Sequence, residues 1–230
     1  IQKNHLQAAK KGGVMFHNLI QSMNTDFLQN TLLRAAAVLL CLTVHETCHG
    51  LAALALGDPT AKSMHRLSLN PLRHIDWLGL AMMFAAGFGW ARPVPVDPRY
   101  FRHPKQGMAL TALAGPASNF LLALASIAVS RWVYSHGPGG VLGSLLFEFF
   151  LYVLAPLSIG LGLFNLLPIP PLDGAKVLGA FLPDRTYFTL MRYERYGMLV
   201  LLALSFLGVT GNLISGAIFR IFELFFNLIY

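Results

Sequence analysis

Residues 35–56 read AAAVLLCLTVHETCHGLAALAL, an apolar run closed by Gly57-Asp58-Pro59. As a helix rising about 1.5 Å per residue, it is about 33 Å long, enough to cross the ~30 Å hydrocarbon core of a bilayer. Its middle holds His45, Glu46 and His49. An ionised group at that depth costs about 2.5–3.5 kcal/mol, so a plain anchor would not carry them. The stretch predicts a membrane helix with a chemical site inside it.

Working outward, the 230 residues are 55% hydrophobic and 12% charged, with a mean hydropathy of +0.58. A soluble domain carries about 25% charged residues, so this chain has too few to cover a water-facing surface. High hydrophobicity and the lack of long polar tracts exclude disorder. Composition and length together predict a polytopic membrane protein with about five or six membrane segments. Further spans are expected at 107–130, at 141–167 (interrupted by Pro156) and near 196–211. From Asn212 the polar residues Asn212, Ser215, Arg220, Glu223 and Asn227 fall on one helical stripe, which predicts an amphipathic last helix at the interface or in the bundle. The run 77–91 is too short and glycine-rich to cross comfortably. It is expected to be re-entrant or shallow, with its backbone shielded by protein. No repeat or linker divides the chain, so 1–230 reads as a single domain. Residues 1–30 form a polar segment that starts at Ile1, and no cleavable signal peptide is expected in it. The expected fold class is an all-α polytopic bundle with a re-entrant or β-like loop region and a buried site around His45, Glu46 and His49.

Seventeen Lys and Arg against ten Asp and Glu give a formal charge of +7. No recognition motif or basic helix face accompanies it, so no nucleic-acid partner is expected; the basic residues flank apolar segments instead. If 77–91 does not cross, the loops 57–106 and 174–195 share one face and carry most of the Lys and Arg. The positive-inside rule then puts that face in the cytoplasm. Cys41 and Cys48 lie about 10 Å apart along one helix, too far for a disulfide. Trp77, Trp90, Trp132 and Tyr134 fall near expected interfaces, where such rings favour the headgroup zone.

His45-Glu46-Thr47-Cys48-His49 has the HExxH spacing. Positions i and i+4 share a helix face, so both imidazoles can reach one Zn²⁺, and Glu46 can take a proton from water activated there. A catalytic zinc usually has three protein ligands and one open position. The candidates for the third are His65, His74, His103, Glu148 and Asp173. The histidines lie in loops, and Glu148 sits at the far end of its span. Asp173 combines a place beside the bilayer with the neighbours Pro168, Pro170, Pro171 and Gly174, which fix backbone direction. It is the expected third ligand, on broken, extended backbone.

Taken in order, His45-Glu-x-x-His49, Gly115-Pro116 with Asn119, and Asn165-x-x-Pro168-x-Pro-Pro-x-Asp173-Gly174 resemble the site-2 protease family of intramembrane zinc metalloproteases. The core of the likeness covers 40–175. The loop pattern Gly57-Asp58-Pro59, Leu69-Asn70-Pro71 and His74-Ile75-Asp76 is similar to its compact form, without a PDZ or CBS domain. The resemblance implies one Zn²⁺ per chain held by His45, His49 and Asp173, with Glu46 as general base. It also implies that Asn165 assists catalysis near the scissile carbonyl and that Asn119 and Pro168 contact substrate. The implied partners are the lipid bilayer and the transmembrane segments of membrane-protein substrates. The implied location is a prokaryotic cytoplasmic membrane, with the site nearer the cytoplasmic face.

Plainer roles are open as well. Asn119 could satisfy a neighbouring helix, Asn165 could cap the backbone broken at Pro168, and Gly115-Pro116 could serve packing and a kink. The rival functions are a membrane zinc-binding transporter and an inactive protease-like scaffold. A substrate helix would have to unwind before cleavage. An exposed edge in 57–76 or 92–106 could hold the unwound strand, though the prolines at 93–98 limit pairing.

Overall fold

The computed structural model describes residues 27–79, 82, 91–207 and 209–230. The 1–30 segment and the expected re-entrant run 77–91 lie largely outside the described residues, as does Trp90. The described residues are helical, with one isolated antiparallel bridge, Ile75 to Ala91, and no strand. In chain order the helices are α1 (Phe27–Ala55), the single turn α2 (Thr60–Ser63), α3 (Pro104–His136), α4 (Gly140–Glu148) and α5 (Ala155–Asn165). They continue with α6 (Asp173–Gly179), α7 (Asp184–Arg192), α8 (Glu194–Phe206) and α9 (Val209–Ile229). Among them three are long and apolar enough to cross a membrane: Thr31–Ala55, Pro104–His136 and Gly140–Asn165.

The third span is continuous only because of a π-helical segment, Phe149–Leu154, between α4 and α5. Pro156 has no N–H to give back to the preceding turn and its ring crowds that turn. Widening the turn before it absorbs the defect without breaking the span. Ser126 of α3 donates to the Phe150 carbonyl at 2.6 Å, so a carbonyl in the widened stretch is satisfied from the neighbouring helix.

The central span is α3. In lipid, helices associate through close packing and interhelical hydrogen bonds rather than expulsion of water, which favours small residues at the contacts. Ala37, Ala53, Ala112, Ala123 and Ala155 are accordingly buried. Ala123, Ile127, Leu151, Ala155 and Ile159 form the main core, with Ile218, Ile221, Phe222, Phe225 and Phe226 of α9 packed on it. The last helix thus takes the bundle rather than the surface. Its Ser215, Arg220, Glu223 and Asn227 are exposed on the other side. The span expected near 196–211 differs from that reading. There α8 has only 13 residues and stops at Phe206, and α9 starts at Val209. At about 1.5 Å per residue α8 is about 20 Å long, short of a hydrocarbon core.

Contacts pair Asn119 with Ser158 and Ser126 with Phe150, so the third span runs antiparallel to α3. Contacts of His45 with Asn119 and of His49 with Thr111 make α1 antiparallel to α3 as well. The end of α1, the start of α3 and the end of α5 therefore share one side of the bundle. Lys105 ties the two basic loops together there, donating to the Leu182 carbonyl at 2.5 Å and to Asp184 Oδ1 at 3.0 Å. On the spans, Leu51, Leu110, Leu121, Trp132 and Tyr134 project outward, as lipid-facing side chains do.

Candidate metal centre and its supports

One turn of helix places His45 and His49 on the face of α1 that meets α3. Their rings are perpendicular, with centroids 4.5 Å apart. Both are buried, as are Glu46 and Asp173. Asp173 arrives from 128 residues away. The proline-rich turn after α5 ends at Leu172 in extended backbone, and Asp173 is the first residue of α6. This modifies the expectation of broken, extended backbone at Asp173 itself: the prolines bring the chain round, and a helix start then fixes the carboxylate. Gly174 makes the turn tight, since a side chain there would run into the carbonyls of Leu166 and Leu167.

Asp173 Oδ2 lies 3.1 Å from Nε2 of both His45 and His49. One ligand atom from each of the three residues falls within 4.8 Å of the others. Ligands about 2.0–2.1 Å from a tetrahedral zinc stand about 3.3 Å from one another. The spacing therefore suits one such ion.

The hydrogen bonding around the rings points the same way. His49 Nδ1 lies 2.7 Å from the Thr111 carbonyl, which can only accept, so Nδ1 carries the proton. In the neutral ring Nε2 then presents a lone pair towards the Asp173 carboxylate. Two acceptors 3.1 Å apart repel unless a proton or a cation sits between them. Lys176 Nζ stands 3.7 Å from the other oxygen of Asp173, Oδ1. Two imidazoles and one carboxylate are among the donor sets zinc enzymes use.

The supporting residues divide into those the sequence singled out and those it did not. Asn119 has no exposed surface. Its side-chain nitrogen lies 3.0 Å from His45 Nδ1, and its Oδ1 is buried without a partner. The two ends of a side-chain amide are nearly the same size and differ in donor and acceptor character. Turning the amide over lets Oδ1 accept from Nδ1–H, the arrangement a metal-ligating imidazole ordinarily has. Asn119 therefore stands behind the His45 ring. Asn165 donates to the Leu161 carbonyl of its own helix at 3.0 Å and is half-buried, and Pro168 is exposed. Neither joins the His–His–Asp group. The glycine of Gly115-Pro116 sits against both rings. A Cβ there would lie 2.5 Å from His49 Nε2 and Cε1, and 2.6 Å from His45 Cε1. A glycine deep inside a long helix costs about 1 kcal/mol, so it usually has a packing reason, and that was its signal in the sequence. Thr111 could not have been found in this way, because it contributes a backbone carbonyl.

A family model for peptidase family M50 matches residues 133–208, which contain the third span and the Asp173 motif. YwhC of Bacillus subtilis, which bears the name of a zinc metalloprotease, is 37% identical over 168 residues, 73% of this chain and 77% of that relative. The chain belongs to peptidase family M50. This is the site-2 protease family its motifs resemble. Rip2 of Mycolicibacterium smegmatis, also named as a zinc metalloprotease, is 30% identical over 85% of this M50 chain and 70% of its own. Rip2 of Mycobacterium tuberculosis H37Rv is 29% identical over 82% and 72%. No solved structure matches the chain.

Proposed function

We propose that this M50 peptidase is an intramembrane zinc endopeptidase that cuts membrane proteins in or near a transmembrane segment. His45, His49 and Asp173 would hold the ion, one per chain, and Glu46 would act as general base. The observation that carries the reading is the convergence of three buried ligand atoms from two distant parts of the chain, each Nε2 3.1 Å from Asp173 Oδ2. When bound, zinc supplies Lewis acidity, making water nucleophilic near neutral pH and polarising a carbonyl.

This chain's residues supply the rest. Glu46 takes the proton of the attacking water and passes it to the leaving amine nitrogen. The Thr111 carbonyl and Asn119 fix the two rings, and α6 fixes the carboxylate. Asn165, on the last turn of α5, is the proposed donor to the scissile carbonyl, once its amide leaves the Leu161 carbonyl. Pro168, exposed just beyond, is proposed to line the substrate's path. The substrate must arrive locally unwound, because a peptide inside a helix has no free amide groups to offer. A prokaryotic cytoplasmic membrane, with the basic loops and the site towards the cytoplasm, suits the charge distribution.

A transport pathway would need acidic or histidine groups spaced along several spans. Among the described residues the buried acidic and histidine groups of the spans are His45, Glu46 and His49, all at one level. Glu46→Gln tests the proposal. Purified protein in bilayer discs should keep one zinc per chain and lose cleavage of a reporter transmembrane peptide by at least about 100-fold. Cleavage at the native rate, or zinc retained in full after Asp173→Ala, would overturn it.

A further inference from the structure

We infer that the extended segment 91–97 is a strap whose Val94 N–H positions the general base; this rests on the role proposed for Glu46. Glu46 Oε2 accepts from the Val94 N–H at 2.9 Å, in a buried contact between residues 48 positions apart. A carboxylate has two oxygens. Holding one with a fixed backbone donor orients the pair and leaves the other for the travelling proton. The hydrogen bond is charge-assisted, and so of the stronger kind.

The segment's sequence limits what it can do. It reads Ala91-Arg92-Pro93-Val94-Pro95-Val96-Asp97. Proline has no N–H, so Val94 carries the sole backbone donor between 93 and 95. Slipping the strap by one residue in either direction would set a proline against the carboxylate and lose the bond. The prolines also pre-set an extended backbone, which lowers the entropy lost when it is held.

Every other anchor fixes that register. Ala91 bridges Ile75, and Arg92 N–H donates to the His74 carbonyl at 2.9 Å. Arg66 reaches over with one nitrogen to the carbonyls of Arg92, at 2.9 Å, and Pro93, at 3.3 Å. At the far end Asp97 N–H donates to the buried Asp58 at 2.7 Å. His74 is held in turn: its Nε2 and the Thr47 hydroxyl, next to Glu46 on α1, both donate to the Ser68 carbonyl, at 2.7 and 3.0 Å. The Val94 side chain is buried against Gly50, where a Cβ would lie 3.2 Å from Val94 Cγ1 and 3.0 Å from Leu67 Cδ1. Gly50 lets the strap lie close to the helix, one residue past His49.

Val94 is thus a positioning residue for Glu46, and Arg66 acts through the strap. The test compares two proline insertions. Val94→Pro removes the donor. Val96→Pro adds a proline to the same strap at an N–H that makes no described hydrogen bond. In zinc-loaded protein, Val94→Pro should lower kcat about 10- to 100-fold, with KM within about twofold and zinc still one per chain. Val96→Pro should stay within about threefold of the native kcat. Equal kcat for the two variants would overturn the inference.

If Val94→Pro fails to fold, amide spectra of ¹⁵N-valine-labelled protein decide the matter. In the native protein the Val94 amide should be protected from exchange and shifted downfield. Glu46→Ala should abolish both while leaving most other valine amides in place; an unmoved Val94 amide refutes the strap. This readout does not depend on proteolysis. A responsive amide in a protein that cuts nothing would sink the protease reading and keep the strap, and an active enzyme with an indifferent amide would do the reverse.

Discussion

Replacing Gly115 with alanine puts the reading of the metal centre under the most direct strain. The added methyl would sit 2.5 Å from His49 Nε2 and Cε1, and 2.6 Å from His45 Cε1. Non-bonded heavy atoms in contact stand about 3.5–4.0 Å apart, so the overlap is about 1 Å on each of two rings. Metal–ligand distances tolerate about 0.2 Å. Either the rings swing away from their shared focus or α3 backs off from α1, and both open the His–His–Asp group. Overpacking by a methylene-sized group costs about 1–3 kcal/mol. At about 1.4 kcal/mol per tenfold, strain falling on the site weakens zinc binding by about 10- to 100-fold. The assay is competition against a chromophoric chelator in detergent micelles. Gly139→Ala is the control, as nothing lies within 4 Å of a Cβ there. Zinc binding by Gly115→Ala within about twofold of native would refute the reasoning, because two rings displaced by that overlap cannot both remain ligands.

Three further outcomes follow from the same geometry. Asn119→Ala leaves His45 Nδ1 without its partner and should weaken zinc about 10-fold; Asn119→Asp, which keeps an acceptor for Nδ1–H, should bind more tightly than Asn119→Ala in the same titration. Asp58→Ala strips the partners from Asp97 N–H, Thr60 N–H and the Thr60 hydroxyl. It should cost about 2–4 kcal/mol, read as a lowered melting temperature with faster proteolytic nicking in 91–103. Treatment with a strong chelator should abolish cleavage of a reporter transmembrane peptide, and one equivalent of Zn²⁺ should restore it; cleavage persisting after complete metal removal would contradict the zinc chemistry.

Much of the site was written locally. The HExxH spacing is a property of one helix, so His45 and His49 converge wherever that helix forms. Asp173 was legible for a different reason: prolines and a glycine around a lone carboxylate beside an apolar span mark a backbone with a directed end. What the sequence could not carry was contact across helices. The Asn119 motif was visible, but not that its amide faces His45 rather than solvent, since that depends on the register between α1 and α3. The Val94 donor was hidden because the proline run around it reads as an obstacle to pairing, and only the fold reveals a carboxylate at the single gap. Span lengths were less secure. The apolar run 196–211 looks continuous in composition, yet the helix stops after Phe206 and a new one begins at Val209.

On α3, Thr111, Gly115 and Asn119 recur every four residues, and they face His49, both rings and His45 in turn. On α1 the two histidines recur at the same interval. The pair of spans therefore behaves like a vernier, with matching graduations that coincide at one offset. A bilayer that is too thick or too thin pulls on each span separately through hydrophobic mismatch. A slide between them would break the register of Thr111 with His49 and of Asn119 with His45. Lipid thickness would then bear on how closely the His–His–Asp group stays together.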